Sequence, residues 1–239
     1  MNRVVITGDT HGVLDIKKLI KYQSDNNKKL SYDDYLIICG DAGIVWNKDS
    51  IKEVVDVYEN LGTNIIFVDG NHENYDLLNE YKVESWNGGK VHKISPHIIH
   101  LMRGYVFNVY GYKVFAIGGA ESHDKENRIE HFSWWKDEEI TYADYMVAYE
   151  NLKTHNFNVD YVISHTLPNS AIKSITKQLT YCGESIPNFL YPKLKYSQTS
   201  EILEELKQKM EFKTWFSGHL HIDDIINNHC ILYENIIEI

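Results

Sequence analysis

The sequence predicts an α/β fold, and two features of the chain support this. Short apolar runs rich in β-branched and aromatic residues end at glycine or a polar residue, as buried strands do, and stretches of helical length separate the first of them. Strands of a parallel sheet are buried on both faces, so they read as continuous apolar runs. The length of 239 residues and a hydrophobic content of 43% suit one large domain spanning 1–239.

The first half of the chain alternates strands and helices. Apolar runs at 4–6, 36–39 and 65–68 are predicted strands. Each is followed by a predicted helix, which is the βαβ pattern of a parallel sheet. The three helices are expected near residues 13–25, 48–60 and 74–81.

The second half begins with a change of pattern. Residues 91–118 form short apolar stretches with tight breaks, which we interpret as a hairpin or meander that begins a second sheet. Beyond it, helices near 141–153 and 199–210 each lead to a predicted strand. The remaining predicted strands lie at 159–163, before Gly218, around 223–226 and around 230–233.

Two segments interrupt this pattern, at about 119–140 and 166–200. The first is polar and then aromatic, with Trp134 and Trp135, and the second contains three prolines. Long connections in compact domains are usually lids or binding loops, so we expect both to select the substrate. The tryptophans either line a pocket or pack the loop onto the domain, and packing is favoured for at least one.

Five polar clusters follow predicted strands directly. Ligands in open α/β sheets bind just beyond the carboxyl ends of strands, and the glycines beside the clusters allow sharp turns there. The candidate metal ligands in these clusters are Asp9, His11, Asp41, Asn71, His165, His219 and His221.

The chemistry of these donors predicts two transition-metal ions. A mixture of carboxylate, amide and imidazole without thiolate suits Mn, Fe or Zn. Seven ligands are too many for one tetrahedral ion, but two ions about 3.5–4 Å apart would use them all. Asp41 is the middle carboxylate in chain order and is therefore the natural bridge between the two ions. Two cations would neutralise a phosphoester and activate a bridging water or hydroxide.

The five clusters, in this order, resemble the motifs of the calcineurin-like metallophosphoesterases. The blocks are Asp9-x-His11, Gly40-Asp41, Gly70-Asn71-His72-Glu73, His165 and Gly218-His219-x-His221. The resemblance implies a four-layer αββα sandwich with two mixed β-sheets flanked by helices. It also implies hydrolysis of phosphomonoesters or phosphodiesters by a dinuclear centre, with Mn as the expected metal and Fe, Zn or Ni as alternatives.

The resemblance also implies roles for single residues. Asp9, His11, Asp41 and His221 would hold one ion, and Asp41, Asn71, His165 and His219 the other. His72 would be the general acid that protonates the leaving oxygen, and Asn71 would also contact the substrate. The block after Asp41 lacks the second Asp and the Arg of the protein Ser/Thr phosphatases. The chain is therefore more similar to the small bacterial or phage-type members.

The expected partner is a small phosphorylated substrate or a phosphoprotein. Arg128 is a candidate for gripping a phosphate oxygen, because a guanidinium fork matches phosphate geometry. A formal net charge of −10 disfavours nucleic acid, although a nuclease of the same superfamily stays an alternative. A non-catalytic metal-binding module is the third hypothesis. It ranks last because every ligand position and His72 are filled.

The remaining residues carry blander expectations. Three cysteines provide no disulfide framework, and a cytoplasmic location is expected; no signal peptide or membrane span is predicted. Cys39 is expected to be a buried, inert thiol. Glu73 either caps the helix near Asn74 or supports a metal-binding histidine. The histidines outside the five clusters are expected to be ordinary residues: His92, His97, His100, His123, His131, His155 and His229.

Overall fold

A computed structural model of the chain describes residues 2–25, 28–181 and 186–239. Two mixed β-sheets pack face to face, and helices cover the outer face of each. The predicted αββα arrangement is confirmed. Cys182, whose sequence context offers no CxxC partner, lies outside the described residues. Within the described ranges, no helix combines the length and apolar character needed to cross a membrane.

The first sheet contains seven strands in the order β13-β1-β2-β3-β6-β5-β4. Strands β1, β2, β3 and β6 are parallel to one another, and the strands at the two sides pair antiparallel. The bounds are β1 (Val4–Thr7), β2 (Tyr35–Ile38), β3 (Asn64–Phe67), β4 (Val83–Trp86), β5 (Gly89–Lys93), β6 (Ile98–Leu101) and β13 (Ile237–Glu238).

The second sheet contains six strands in the order β11-β12-β10-β9-β8-β7. Its inner strands are parallel, and β7 and β11 pair antiparallel at the two edges. The bounds are β7 (Tyr105–Val109), β8 (Tyr112–Ile117), β9 (Tyr161–Ser164), β10 (Thr214–Ser217), β11 (Asp224–Ile226) and β12 (His229–Ile231).

Six α-helices lie outside the two sheets in the described part of the chain. Helices α1 to α3 cover the first sheet, α4 and α6 cover the second, and α5 packs beside β11 and β12. Their bounds are α1 (Lys17–Ser24), α2 (Ile51–Glu59), α3 (Tyr75–Leu78), α4 (Tyr142–Thr154), α5 (Asn169–Tyr181) and α6 (Gln198–Lys207). Short 3₁₀ turns occur at Lys125–Asn127, Lys136–Glu138 and Tyr191–Leu194.

The central core lies between the two sheets. Successive side chains of a strand point to opposite faces, so Val4 and Ile6 of β1 contact this core while Val5 faces the helices. Phe107 and Ile163 reach the same core from the second sheet. Burial on both faces explains why the inner strands read as unbroken apolar runs.

Two details of the predicted organisation are wrong. Strands β5 and β6 do not begin the second sheet, because β6 pairs in parallel with β3 and extends the first sheet. The second sheet begins at β7. The segment 166–200 is also less of a loop than expected, since α5 occupies Asn169–Tyr181 and buries Ile172 and Ile175.

Candidate metal centre

All seven predicted ligands lie beyond the carboxyl ends of five strands. Strands β1, β2 and β3 supply Asp9, His11, Asp41 and Asn71, and strands β9 and β10 supply the three other histidines. Direct contacts join the two groups across the sheets. The structure therefore brings together residues that are up to about 210 positions apart in the chain.

One group of donors contains Asp9, His11, Asp41 and His221. One ligand atom from each lies within 4.8 Å of the others. Nε2 of His11 is 3.3 Å from Oδ2 of Asp41, and Nε2 of His221 is 3.4 Å from Oδ1 of Asp9. Within the described residues, Nε2 of His221 is buried without a hydrogen-bond partner, as suits a nitrogen that coordinates a cation.

The second group shares Asp41 with the first. Nε2 of His165 lies 3.2 Å from Oδ1 of Asp41 and also 3.2 Å from Oδ1 of Asn71. The His219 ring packs edge-on against the His165 ring, with 5.0 Å between the centroids. The two oxygens of Asp41 thus face two different histidines, as a bridging carboxylate requires.

The backbone at these positions is unusual. Five of the seven residues have positive φ angles in the left-handed region: Asp9, His11, Asp41, His219 and His221, at 44°, 43°, 49°, 65° and 53°. Non-glycine residues seldom adopt this region, because each such residue costs about 1–3 kcal/mol and persists only where its surroundings enforce the conformation. Sharp turns off the strand ends aim the donors inward.

Neighbouring groups hold these turns in place. The buried ammonium of Lys18 in α1 donates to the carbonyl oxygens of Gly8, Asp9 and Tyr233. The backbone N–H of His219 donates to both carboxylate oxygens of Asp9, at 2.9 and 3.1 Å. These hydrogen bonds fix the backbone that carries the candidate ligands.

Two glycines allow the donors to approach closely. Gly40 has φ +80°, and a Cβ there would collide with the His165 ring. A Cβ on Gly218 would collide with the carboxylate of Asp9. Both glycines are thus required by packing around the donors, and at Gly40 the left-handed backbone is a second reason for glycine.

Hydrogen bonds at the far ring nitrogens orient two of the histidines. Nδ1 of His11 is 2.7 Å from Oδ2 of Asp15, and Nδ1 of His165 is 2.9 Å from the carbonyl oxygen of Cys39. A proton on Nδ1 leaves Nε2 with a lone pair directed at the centre. Partners of this kind set the tautomer of metal-binding histidines.

The electrostatics show a concentrated carboxylate–imidazole cluster. Burial lowers the pKa of His11, but its hydrogen bond to Asp41 and the Asp41 charge outweigh burial and raise it to about 9. Burial opposes ionisation of Asp41, yet His165 and His72 hold its pKa well below the ordinary value. The ionised Asp41 thus favours a proton on His11, and a metal cation would take the place of such a proton if these residues coordinated it.

His72 lies at the rim of the cluster. Its backbone N–H donates to Oδ1 of Asp41 at 2.7 Å, and its ring is 5.4 Å from that of His11 between centroids. Nε2 of His72 is 3.4 Å from a guanidinium nitrogen of Arg128. Asp124 and the carbonyl of Ser133 hold Arg128 from the other side, at 2.8 and 3.2 Å.

A cavity of about 270 Å³ opens over the ligands. Asn188, Phe189 and Lys193 line it from segment 166–200, and His123 lines it from segment 119–140. Nζ of Lys193 donates to the carbonyl oxygen of His219 at 2.6 Å. Lys193 carries no signal in the sequence. His123 borders the cavity but does not belong to the group of candidate ligands, so the expectation that it is not a ligand stays a prediction.

Glu73 and Cys39 are both fully buried. Glu73 does not cap α3, whose N-cap is Asn74, and its side chain has no hydrogen bond to a histidine among the described residues. Its Oε1 accepts from the backbone N–H of Gly43 at 3.1 Å. Cys39 is fully buried, and burial raises the pKa of its thiol well above the usual value. The burial of Cys39 and the raised pKa of its thiol both agree with an inert cysteine.

The two tryptophans of segment 119–140 hold that segment onto the domain. The Trp135 ring is buried against Trp46, 5.4 Å away between centroids, and its Nε1 donates to Asp76. Nε1 of Trp134 donates to Oε1 of Glu138 at 2.8 Å. Neither lines the cavity over the ligands, in keeping with the packing interpretation.

Comparison with known proteins assigns a class to this fold and site. The profile of the calcineurin-like phosphoesterases matches residues 2–223. The chain belongs to the calcineurin-like phosphoesterase family, and the matched residues include all seven candidate ligands. No curated protein matches the sequence significantly.

Two solved structures are similar in a more distant way. A protein of unknown function from Aquifex aeolicus is 16% identical over 69% of this chain and 78% of its own, with a TM-score of 0.36. Phosphopantetheinyl hydrolase from Mycobacterium tuberculosis is 17% identical over 97% of this chain and 88% of its own, with a TM-score of 0.42.

Proposed function

We propose that this phosphoesterase hydrolyses phosphomonoesters or phosphodiesters of small molecules with two divalent metal ions. The arrangement of Asp41 carries the proposal, because its two carboxylate oxygens face His11 on one side and His165 on the other. Asp9 and His221 complete the first group of donors, and Asn71 and His219 complete the second. Two ions, when bound, supply charge neutralisation of the phosphate and a water of lowered pKa.

The donors fit such ions by chemistry and by geometry. Carboxylate, amide and imidazole donors suit Mn, Fe, Zn or Ni, and Mn is the ion that the family resemblance favours. The unpartnered Nε2 of His221 among the described residues and the glycines that clear space for Asp9 and His165 support a site built for cations.

The leaving group requires a proton. His72 borders the cavity over the ligands, and its backbone is tied to Asp41. We assign it the role of general acid to the leaving oxygen. Burial lowers the pKa of His72 although the Asp41 charge opposes this, and an anionic phosphate beside the ring would favour the protonated form. Its place at the rim allows it to reach a substrate without coordinating an ion.

Two positively charged side chains lie on either side of the place where the substrate phosphate would bind. Arg128 approaches from segment 119–140 and Lys193 from segment 166–200. Their positive charges favour a phosphate dianion or a diester anion over a neutral ligand. The cavity of about 270 Å³ suits a small phosphorylated molecule, consistent with the net charge of −10, which disfavours a long nucleic acid.

A reconstitution experiment tests this function. Metal-free protein is supplied in turn with Mn²⁺, Fe²⁺, Zn²⁺ or Ni²⁺ and is assayed on monoesters, diesters, cyclic nucleotides, dinucleotides and phosphopeptides. We expect metal-dependent release of phosphate or of a monoester, and no turnover by Asp41→Asn. Absence of hydrolysis with every metal and substrate, or equal turnover by Asp41→Asn, would reject the proposal.

A further inference from the structure

The amide of Asn71 has two chemically different ends, and only one suits a cation. Its carbonyl oxygen Oδ1 can coordinate a metal, whereas its NH₂ group would direct two protons at it. A ligand asparagine therefore needs a partner that fixes the direction of the amide. In this structure Oδ1 is on the side of His165, and Nδ2 faces Ser122 at 3.3 Å from Oγ.

Ser122 is in turn bound to Glu138. Oγ of Ser122 donates to Oε2 of Glu138 at 2.8 Å, and the backbone N–H of Ser122 donates to Oε1 at 2.6 Å. Nε1 of Trp134 also donates to Oε1, at 2.8 Å. Ser122 and Glu138 are each 1% exposed, so water does not compete for these bonds.

The direction of the Asn71 amide follows from the number of protons that Ser122 and Glu138 can donate. A serine hydroxyl has one proton to donate, although it can accept twice. The Glu138 carboxylate can only accept, so it takes that proton. Oγ of Ser122 is then an acceptor toward Asn71, which must present its NH₂ group. The carbonyl end of Asn71 consequently faces the metal centre.

We propose that Ser122 and Glu138 are positioning residues that fix the Asn71 amide with its oxygen toward the second ion. This inference rests on the proposed dinuclear function. It also gives segment 119–140 a role beyond lining the cavity, because the segment supplies both residues. Arg103 holds the same segment in place, donating to the carbonyl oxygens of Asp137, Glu138 and Glu139.

Two substitutions separate the parts of this argument. Ser122→Ala removes the acceptor for the Asn71 NH₂ group. Glu138→Gln keeps the shape but reverses the polarity: its amide oxygen must accept from Ser122 N–H and Trp134, so its NH₂ group faces Oγ of Ser122. The hydroxyl proton of Ser122 is then free to bond the Asn71 oxygen, which favours a reversed amide.

Mn²⁺ titration, read by calorimetry and by electron paramagnetic resonance, measures the effect on each ion. At about pH 8, above the pKa of about 7 to which burial raises the Glu138 carboxyl, that group is ionised. We expect both variants to bind one ion normally and the second roughly 10–100-fold more weakly, the range typical for partners of metal ligands. Ser122→Thr keeps the hydroxyl and should restore the second ion.

Two neighbouring substitutions act as matched controls. Ser133→Ala removes a hydroxyl of the same segment that accepts from Ile129 N–H, and Glu139→Gln changes the adjacent carboxylate. Neither side chain contacts Ser122 or Asn71 in the described hydrogen bonds, so both variants should bind two ions as the unaltered protein does. A loss of the second ion in these controls as well would make the effect a general loosening of the segment and overturn the inference.

The direction of the amide can also be measured without metal. In ¹⁵N-edited spectra of the metal-free protein, we expect the Asn71 side-chain NH₂ resonance to move upfield in Ser122→Ala and to be unchanged in Ser133→Ala. If the unaltered protein binds fewer than two ions while this shift occurs, the dinuclear function fails and the orientation stands. If two ions bind equally tightly to the unaltered protein, Ser122→Ala and Glu138→Gln, the positioning role is refuted.

Discussion

Nε2 of His72 lies 3.4 Å from a guanidinium nitrogen of Arg128. A guanidinium has no acceptor and stays charged in proteins, so the contact requires an unprotonated Nε2. A protonated His72 and Arg128 would repel each other unless an anion lay between them. A phosphate oxygen beside the pair would satisfy both side chains, so we expect the two residues to contact the same part of the substrate.

Replacing Arg128 with alanine should weaken substrate binding. Hydrogen bonds to charged groups contribute about 1.5–3 kcal/mol, so we expect KM to rise roughly 10–100-fold with a smaller change in kcat. Steady-state kinetics on one monoester and one diester provide the measurement. A fall in kcat at constant KM would instead assign Arg128 to holding His72, and unchanged kinetics would make it a structural residue.

Replacing His72 with alanine should affect substrates according to their leaving groups. Alkyl esters need a proton at the departing oxygen, and general acids contribute about 10²–10⁴-fold. A nitrophenyl ester leaves as a weakly basic phenolate and should lose much less. His131→Ala, on an exposed histidine of the same part of the fold, is the control. Equal losses on both ester types would remove His72 from the acid role.

Asp41→Asn should abolish turnover and reduce the metal content. Its two oxygens face both groups of donors, so neutralising it weakens both ions at once. Metal analysis of purified protein should fall from about two ions per chain, the content of a dinuclear site. The exposed Asp49→Asn should keep full metal content. Retention of both ions by Asp41→Asn would contradict the bridging assignment.

Arg103→Met should be strongly destabilising. Arg103 forms a buried ion pair with Asp69 and donates to three carbonyl oxygens of residues 137–139. Removing one partner of a buried pair leaves an uncompensated charge and costs about 3–5 kcal/mol. Urea unfolding measures the loss. Lys153→Met, which breaks an exposed pair with Glu150, should cost no more than about 1 kcal/mol.

Stability should decline in acid through Asp34. Burial opposes its ionisation, but hydrogen bonds from Arg3 and Ser31 lower its pKa from 3.8 to about 2. A lowered folded-state pKa stabilises the protein above the unfolded-state value, and the contribution disappears as pH falls toward 2. The difference in unfolding free energy between the unaltered protein and Asp34→Asn should therefore shrink between these pH values. A constant difference would exclude this linkage.

The sequence allowed the inner strands and the clusters after them to be predicted, because burial on both faces leaves a local signature. The pairing of one strand with another leaves no such local signature in the sequence. Strands β5 and β6 resemble the start of a new sheet, yet β6 pairs with β3 through contacts such as Phe67 with His100. Prolines near α5 favoured a loop, although the apolar spacing of Ala171, Ile172 and Ile175 is helical.

At the site, sequence reasoning found residues that carry their own chemical signal and missed those that act by contact. Histidines and carboxylates that follow strands predict a metal centre from the sequence alone, because these residue types are metal ligands. Ser122, Glu138 and Lys193 are ordinary residues in the sequence, and only the folded chain brings them beside Asn71 and His219. Their distance from those partners along the chain leaves no local pattern to read.

The left-handed backbone at Asp9, His11, Asp41, His219 and His221 lowers the stability of the fold, while the side chains at these positions are candidate metal ligands. Glycine at any of these five positions would relax the turn while deleting a donor. A chain that did not need these donors could adopt glycine there and lose the strain, whereas a chain that binds metal through them must keep the strained backbone.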